Sequence, residues 1–526
     1  MQMEKNKKQI IAIGLEAAEI DLILKWIKEG HLPTLATSME TGSWRKLMST
    51  TEISSGATWA SINTGVSPAK HGMGFYHRQL KNGSYQIVKK YADEIGYPLF
   101  WEKLSNAGKR AAILDIPVTY PVKDFNGVQL IGWGAEGLNF KQSSQPRELL
   151  KEIFSRFGHH PLEGWYQKVI EDVNEWNELK QKLITGVQLR TSIVKWILEK
   201  EAWDFFLVGF AEMHWVGHYF WHLIDDSNPE YNSEVAQVCG DAIFKVYKEV
   251  DNSINEIMQA YPDVAFLIFS NTGMGPNYSG QHLIPEILKR TGLGANGKNQ
   301  GSKNIFDMIS PAKKWGPYAI KKVESIVSAE TMEKAKKIVP EKLWDSWTRK
   351  FLAMGNNWKH SKAFTVPTDF TGAIRINLIG REPEGLVNPG KEYDDVCSEI
   401  KNTFLELVNP DTGKKAIKEV IKVRERYNGK YIDDLPDIIV KWEGKYPINS
   451  LYSSRIGTVT GKLPDKRSGA HQTYGFIIAN GKNIKSLKEL EEKNIMDIAP
   501  TVFNFFNIAI PEDMDGEVLN DMIEKE

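Results

Sequence analysis

The sequence predicts an α/β fold with a mostly parallel central sheet flanked by helices, and two observations carry that prediction. Short runs rich in β-branched and aromatic residues alternate with longer segments of helical period, and polar residues able to do chemistry fall directly after the runs. The strand-like runs are 9–15, 111–115, 205–210 and 264–270; residues 146–157 and 174–201 read as helices between them. In sheets of this kind functional groups gather at the carboxyl ends of strands. Glu16, the Ser54-Ser55 turn, residues 212–222 and Asn271-Thr272 all sit there, although the strand preceding Ser55 is the least evident of the set.

The chain has 526 residues, 41% of them hydrophobic, more than one hydrophobic core ordinarily holds. A main domain is expected over 1–287 and 358–526, with a helical insertion over 288–357. Residues 292–302 are rich in Gly, Asn and Lys, and 318–354 read as basic amphipathic helices in which Trp344 and Trp347 are core aromatics. Lys and Arg number 66 against 67 Asp and Glu, a net charge of −1, so no global field favours nucleic acid or an anionic membrane. Specificity must come from a local site that takes a small-molecule substrate. The two cysteines, Cys239 and Cys397, have no metal-type spacing, and no structural disulfide is expected. Lys5, Lys7 and Lys8 precede an apolar run too short for a signal peptide, and no stretch nears the ~20 apolar residues of a membrane span. The reading is a soluble, cytoplasmic protein; the sequence leaves its oligomeric state open.

Four clusters can carry chemistry. Ser54-Ser55-Gly56-Ala57-Thr58-Trp59 opens a helical segment that runs into Thr64-Gly65, Pro68 and His71-Gly72. A serine hydroxyl there is a weak nucleophile until a base or cation activates it, and the plainer reading of Ser55 is a helix N-cap. His214 and His218 stand at i and i+4, a spacing that can face one cation, and His222 extends the same face. His471, within Ser468-Gly469-Ala470-His471, would by itself be structural. Asn271-Thr272-Gly273-Met274 follows the last long strand.

Taken in order, these clusters resemble the type I phosphodiesterase and nucleotide pyrophosphatase family of the alkaline phosphatase superfamily. Residues 375–383, Leu435-Pro436-Asp437, 497–501 and 513–516 extend the resemblance over nearly the whole chain. It implies an alkaline-phosphatase-like fold and a two-metal site in which a Thr or Ser attacks a metal-bound ester. Counting back from His71-Gly72 places that nucleophile at Ser55, with Glu16 beside it at the end of the first strand. The first metal site would be His214, His218 and His471, with His standing where the family has Asp, a set that zinc accepts. The second site departs most: Glu16 stands for an Asp, and Asn271 and Thr272 stand for Asp and His. Neutral oxygens bind weakly without added charge, so one divalent metal, zinc, is expected and a second is doubtful. Thr58, Trp59 and His222 are candidate pocket residues. Three functions compete: an altered single-metal hydrolase or transferase for a phosphoester-like substrate, a catalytically silent relative that binds a ligand or partner, and a metal-independent acid–base enzyme.

Overall fold

The computed structural model describes residues 8–75, 79–134, 142–163, 165, 170, 172–295, 358–463, 465 and 467–524. The main sheet contains β1 (Ile10–Leu15), β2 (Ser43–Met48), β3 (Ala111–Leu114), β4 (Gly127–Ile131), β5 (Ser143–Gln145), β6 (Phe205–Phe210), β7 (Ala265–Ser270) and β8 (Tyr474–Gly481). Their spatial order is β2-β8-β7-β1-β6-β3-β4-β5. The inner five, β7, β1, β6, β3 and β4, run parallel, whereas β8 is antiparallel to both β7 and β2, and β5 to β4. Every residue of β1, β6 and β7 is buried, as expected of strands covered by helices on both faces.

Alternation along β1 divides the core in two. Ile11, Ile13 and Leu15 join Val187 of helix α2 (Val173–Lys200) and Ile254 of helix α4 (Ala242–Ala260) on one face. Ile10 and Ala12 join Trp59 of helix α1 (Ser55–Thr64) and Phe503 on the other. β3 stops one residue short of the expected run because Asp115 takes a positive φ of 57°. The inconspicuous strand before Ser55 is β2, whose Arg45 is fully buried and pairs with Asp521 at 2.6 Å.

A second core joins the helix Ile284–Arg290 to an antiparallel sheet of Ala363–Thr365, Gly372–Ile376, Ile438–Trp442 and Ile417–Lys422. The expected insertion at 288–357 begins inside this helix. Its residues 296–357, Trp344 and Trp347 included, lie outside the described residues. Cys239 and Cys397 are both buried and unbridged. Among the described residues no helix is long and apolar enough to cross a membrane.

One buried ion cluster fixes the helix α3 (Glu212–Phe220), which follows β6. Arg190 of α2 donates to Glu212 at 3.0 Å and to Asp115 at 2.7 Å, while His160 Nε2 lies 2.9 Å from the same Glu212 carboxylate. Burial pushes the Glu212 carboxyl up, but the Arg190 charge and the His160 contact more than reverse it, so its pKa lies below the usual carboxylate value. Removing one partner from such a group strands the other charges without water. Arg190→Met is expected to lower unfolding free energy by about 3–5 kcal/mol in urea titrations; a loss within experimental error would contradict this anchoring.

Candidate metal centre and nucleophile turn

α1 begins at Ser55, and its N-cap is the neighbouring Ser54, whose Oγ accepts the Ala57 N–H at 3.0 Å. The capping role that sequence alone offered to Ser55 therefore falls one residue earlier. Ser55 instead donates twice to one carboxylate oxygen, Asp369 Oδ2, from its backbone N–H at 2.8 Å and from Oγ at 2.9 Å. Asp369 was not among the sequence candidates. It lies on the turn between the paired strands Ala363–Thr365 and Gly372–Ile376, where an Asp in Thr-Asp-Phe-Thr-Gly reads as ordinary turn chemistry.

α3 presents His214 and His218 on one face with Nε2 atoms 2.9 Å apart. His471 ends the strand Gly469–His471, which pairs with Met274–Pro276 so that Met274 stands opposite His471. The turn after β7 therefore carries the late histidine to α3. Contact is close because both backbones carry glycine: a Cβ at Gly469 would meet the Gly217 carbonyl oxygen at 2.2 Å, and one at Gly217 would meet Met274 Cγ at 2.7 Å. This approach lets His218 Nδ1 donate to the Gly469 carbonyl at 2.7 Å, so that its Nε2, which faces His214 Nε2, carries the lone pair.

The three imidazoles fit a cation. One nitrogen from each lies within 4.8 Å of the others, and all three rings are buried. His214 Nδ1 and both ring nitrogens of His471 are buried without a hydrogen-bond partner, an expensive state unless something else uses those lone pairs. Burial first, then the Arg467 charge, pushes His471 down to about 3. His214 and His218 are held well below the usual histidine value by burial and by their neighbours. All three rings therefore stay neutral at pH 7, the form that ligates metal. Phe370 stands edge-on to His471 at 5.4 Å, and the Arg467 guanidinium lies 4.6 Å from the Phe370 ring.

The remaining sequence candidates have protein partners. Glu16 accepts the Trp59 indole N–H at 3.1 Å. Asn271 Oδ1 accepts the Ala17 N–H at 2.8 Å, leaving its Nδ2 buried with no partner. Thr272 Oγ1 accepts from Thr51 Oγ1 at 3.0 Å and donates to the Gln472 carbonyl. Thr58 and Trp59 are 0% and 1% exposed, which puts both in the packing beneath the turn. His222 Nδ1 lies 3.0 Å from Ser468 Oγ, and its ring tilts against Trp176 outside the three-histidine group.

The sequence matches the type I phosphodiesterase / nucleotide pyrophosphatase family over residues 10–459. No curated protein matches it. Among solved structures it is similar to an inactive murine ectonucleotide pyrophosphatase / phosphodiesterase 5 in complex with AMP, at 11% identity and a TM-score of 0.47, covering 97% of each chain. It is also similar to phosphonoacetate hydrolase from Sinorhizobium meliloti 1021 in complex with phosphonoacetate, at 13% identity and a TM-score of 0.48, covering 96% of each chain.

Two outcomes are expected of this geometry. Gly469→Ala forces Gly217 and Gly469 apart, so stability should fall by about 1–3 kcal/mol, and calorimetry should show Zn²⁺ affinity about tenfold weaker or worse; unchanged affinity would contradict the role of this contact. Stability should also depend on acid. His71 and His471 are each pushed from 6.5 down to about 3 by burial, so below pH 6.5 the unfolded chain binds protons that the native one refuses. In chelator-treated protein the urea midpoint should fall as pH drops from 6.5 towards 4, and His71→Gln should flatten part of the slope. A midpoint that rises over that range would contradict the assignment.

Proposed function

The chain belongs to the type I phosphodiesterase / nucleotide pyrophosphatase family, and from that premise we propose that it is a phosphoester hydrolase working from one metal ion at His214, His218 and His471, with Ser55 as the nucleophile. The observation that carries this reading is the cluster of three neutral, buried imidazoles in which His214 Nδ1 and both His471 nitrogens have no hydrogen-bond partner. A zinc-class dication held there would act as a Lewis acid on the ester.

The chain's own residues divide the remaining work. Ser55, at the first position of α1, attacks phosphorus, and the N-terminus of the helix favours the negative charge that collects there. Asn271, oriented by its bond to Ala17, keeps two amide hydrogens for a phosphoryl oxygen, a donor where a two-metal relative would offer a carboxylate. Thr272 ties the turn after β7 to Thr51 and Gln472, and Glu16 ties the end of β1 to α1 through Trp59. The neutral oxygens of Asn271 and Thr272, both already bonded to protein groups, support the loss of the second metal. The depressed basicity of the three histidines weighs against the acid–base alternative, because rings held neutral do not exchange protons near pH 7.

Calorimetric titration of metal-stripped protein should give a stoichiometry near one, lost in His218→Ala. Bis(4-nitrophenyl) phosphate hydrolysis should return with that metal and fall by about 10³-fold or more in Ser55→Ala. Metal bound without turnover would instead favour a silent binding protein, and turnover that survives Ser55→Ala would overturn the assigned nucleophile.

A further inference from the structure

Resting on the reading of Ser55 as nucleophile, we propose that Asp369 is a catalytic residue: the base that takes the Ser55 hydroxyl proton, the work a metal at the second site would otherwise do. In a two-metal enzyme an ion at that site would activate the nucleophile, and here two of the positions that would hold it are the neutral Asn271 and Thr272, each already bonded to protein groups. Left alone, the Ser55 hydroxyl would be a poor nucleophile. Its Oγ–H points instead at a carboxylate oxygen 2.9 Å away that is itself buried, with Asp369 only 7% exposed.

The surrounding structure holds that geometry. The turn bearing Asp369 is tied to the nucleophile turn at three further points: Thr368 Oγ1 donates to the Ile53 carbonyl at 3.1 Å, Thr371 Oγ1 to the Glu52 carbonyl at 3.0 Å, and the Ser55 N–H to Asp369 Oδ2 at 2.8 Å. From the other side Gln281 Nε2 donates to the Asp369 carbonyl at 3.0 Å. His471 Nδ1 lies 4.0 Å from Asp369 Oδ2, beyond hydrogen-bonding distance, so the carboxylate is directed at serine rather than at the histidines. Within hydrogen-bond reach of the proton it abstracts, a carboxylate is a competent base.

Ser55 Oγ bonds to phosphorus, its proton passes to Asp369 Oδ2, and the bond from phosphorus to the leaving oxygen breaks to release an alkoxide. Water then bonds to phosphorus, the Ser55 Oγ–P bond breaks, and Asp369 returns its proton to Ser55. One water proton stays on the phosphate product and the other neutralises the alkoxide. Net, ester plus water gives alcohol plus phosphate.

The decisive variant is Asp369→Asn, close in shape and still able to accept the Ser55 N–H, with Asp369→Glu as the conservative partner. Two readouts separate this proposal from the one it rests on. The first needs no ester turnover: the rate at which diisopropyl fluorophosphate labels Ser55, followed by peptide mass spectrometry, with fluoride as leaving group. Labelling should occur at Ser55 in the wild type, slow by about 10²-fold or more in Asp369→Asn, and recover in part in Asp369→Glu. Equal or faster labelling in Asp369→Asn, or none at Ser55 in the wild type, would overturn the proposal. The second is steady-state hydrolysis of bis(4-nitrophenyl) phosphate, where kcat should fall by about 10²–10⁴-fold with KM within threefold. A kcat unchanged or raised by Asp369→Asn would make the carboxylate an anchor or a plug and sink the idea. Asp369-dependent labelling in a protein that hydrolyses no phosphoester would keep the base and defeat the hydrolase reading.

Discussion

Everything at the site depends on a contact that two glycines permit. Gly469 presses on the Gly217 carbonyl with no room for a Cβ, and Gly217 in turn packs on Met274. Through this contact the strand carrying His471 lies against the helix carrying His214 and His218, and the Gly469 carbonyl fixes the tautomer of His218. The same strand is paired with the segment that leaves β7, so the sheet, the turn at Asn271 and the late histidine are held as one unit. Below it, Arg190 holds the first residue of α3 through Glu212. Because close-packed backbone and buried charge resist small shifts, the imidazole geometry follows from the fold rather than from any bound ion.

The contrast between the two halves of the site is one of partners. On the histidine side, buried nitrogens lack protein partners, and burial keeps the rings neutral. On the side of Glu16, Asn271 and Thr272, the protein itself supplies partners from the Trp59 indole, the Ala17 amide and the Thr51 and Gln472 groups. A cation is favoured where the imidazole lone pairs lack hydrogen bonds and disfavoured at the neutral, already bonded oxygens of Asn271 and Thr272. A further carboxylate comes from elsewhere: Asp369 lies on a turn of the second antiparallel sheet, so the Ser55 hydroxyl meets a part of the chain remote from its own motif.

Much of this was legible in the sequence. Apolar runs with chemistry at their ends gave β1, β3, β6 and β7 nearly residue for residue, because strands buried on both faces leave a strong local signal. β2 was faint because it carries Ser43, Arg45 and Lys46, and its register is set by β8, some 430 residues away in sequence, rather than by its own pattern. His214 and His218 were readable from helical spacing. Their meeting with His471 rested on resemblance, since no local rule links residues 250 apart. The cap at Ser54 rather than Ser55 is a one-residue distinction that Ser-Ser leaves open. Asp369 was illegible for a plainer reason: an aspartate in a tight turn carries the same sequence signal whether it serves its own backbone or reaches another segment's serine.

Anomalous diffraction above the zinc edge, from crystals grown with zinc, distinguishes one ion at the three histidines from a pair that also fills the second site. A single strong peak is expected among His214, His218 and His471, with none between Glu16 and Asn271. Two peaks of comparable height, or one confined to Glu16 and Asn271, would contradict the single-ion reading.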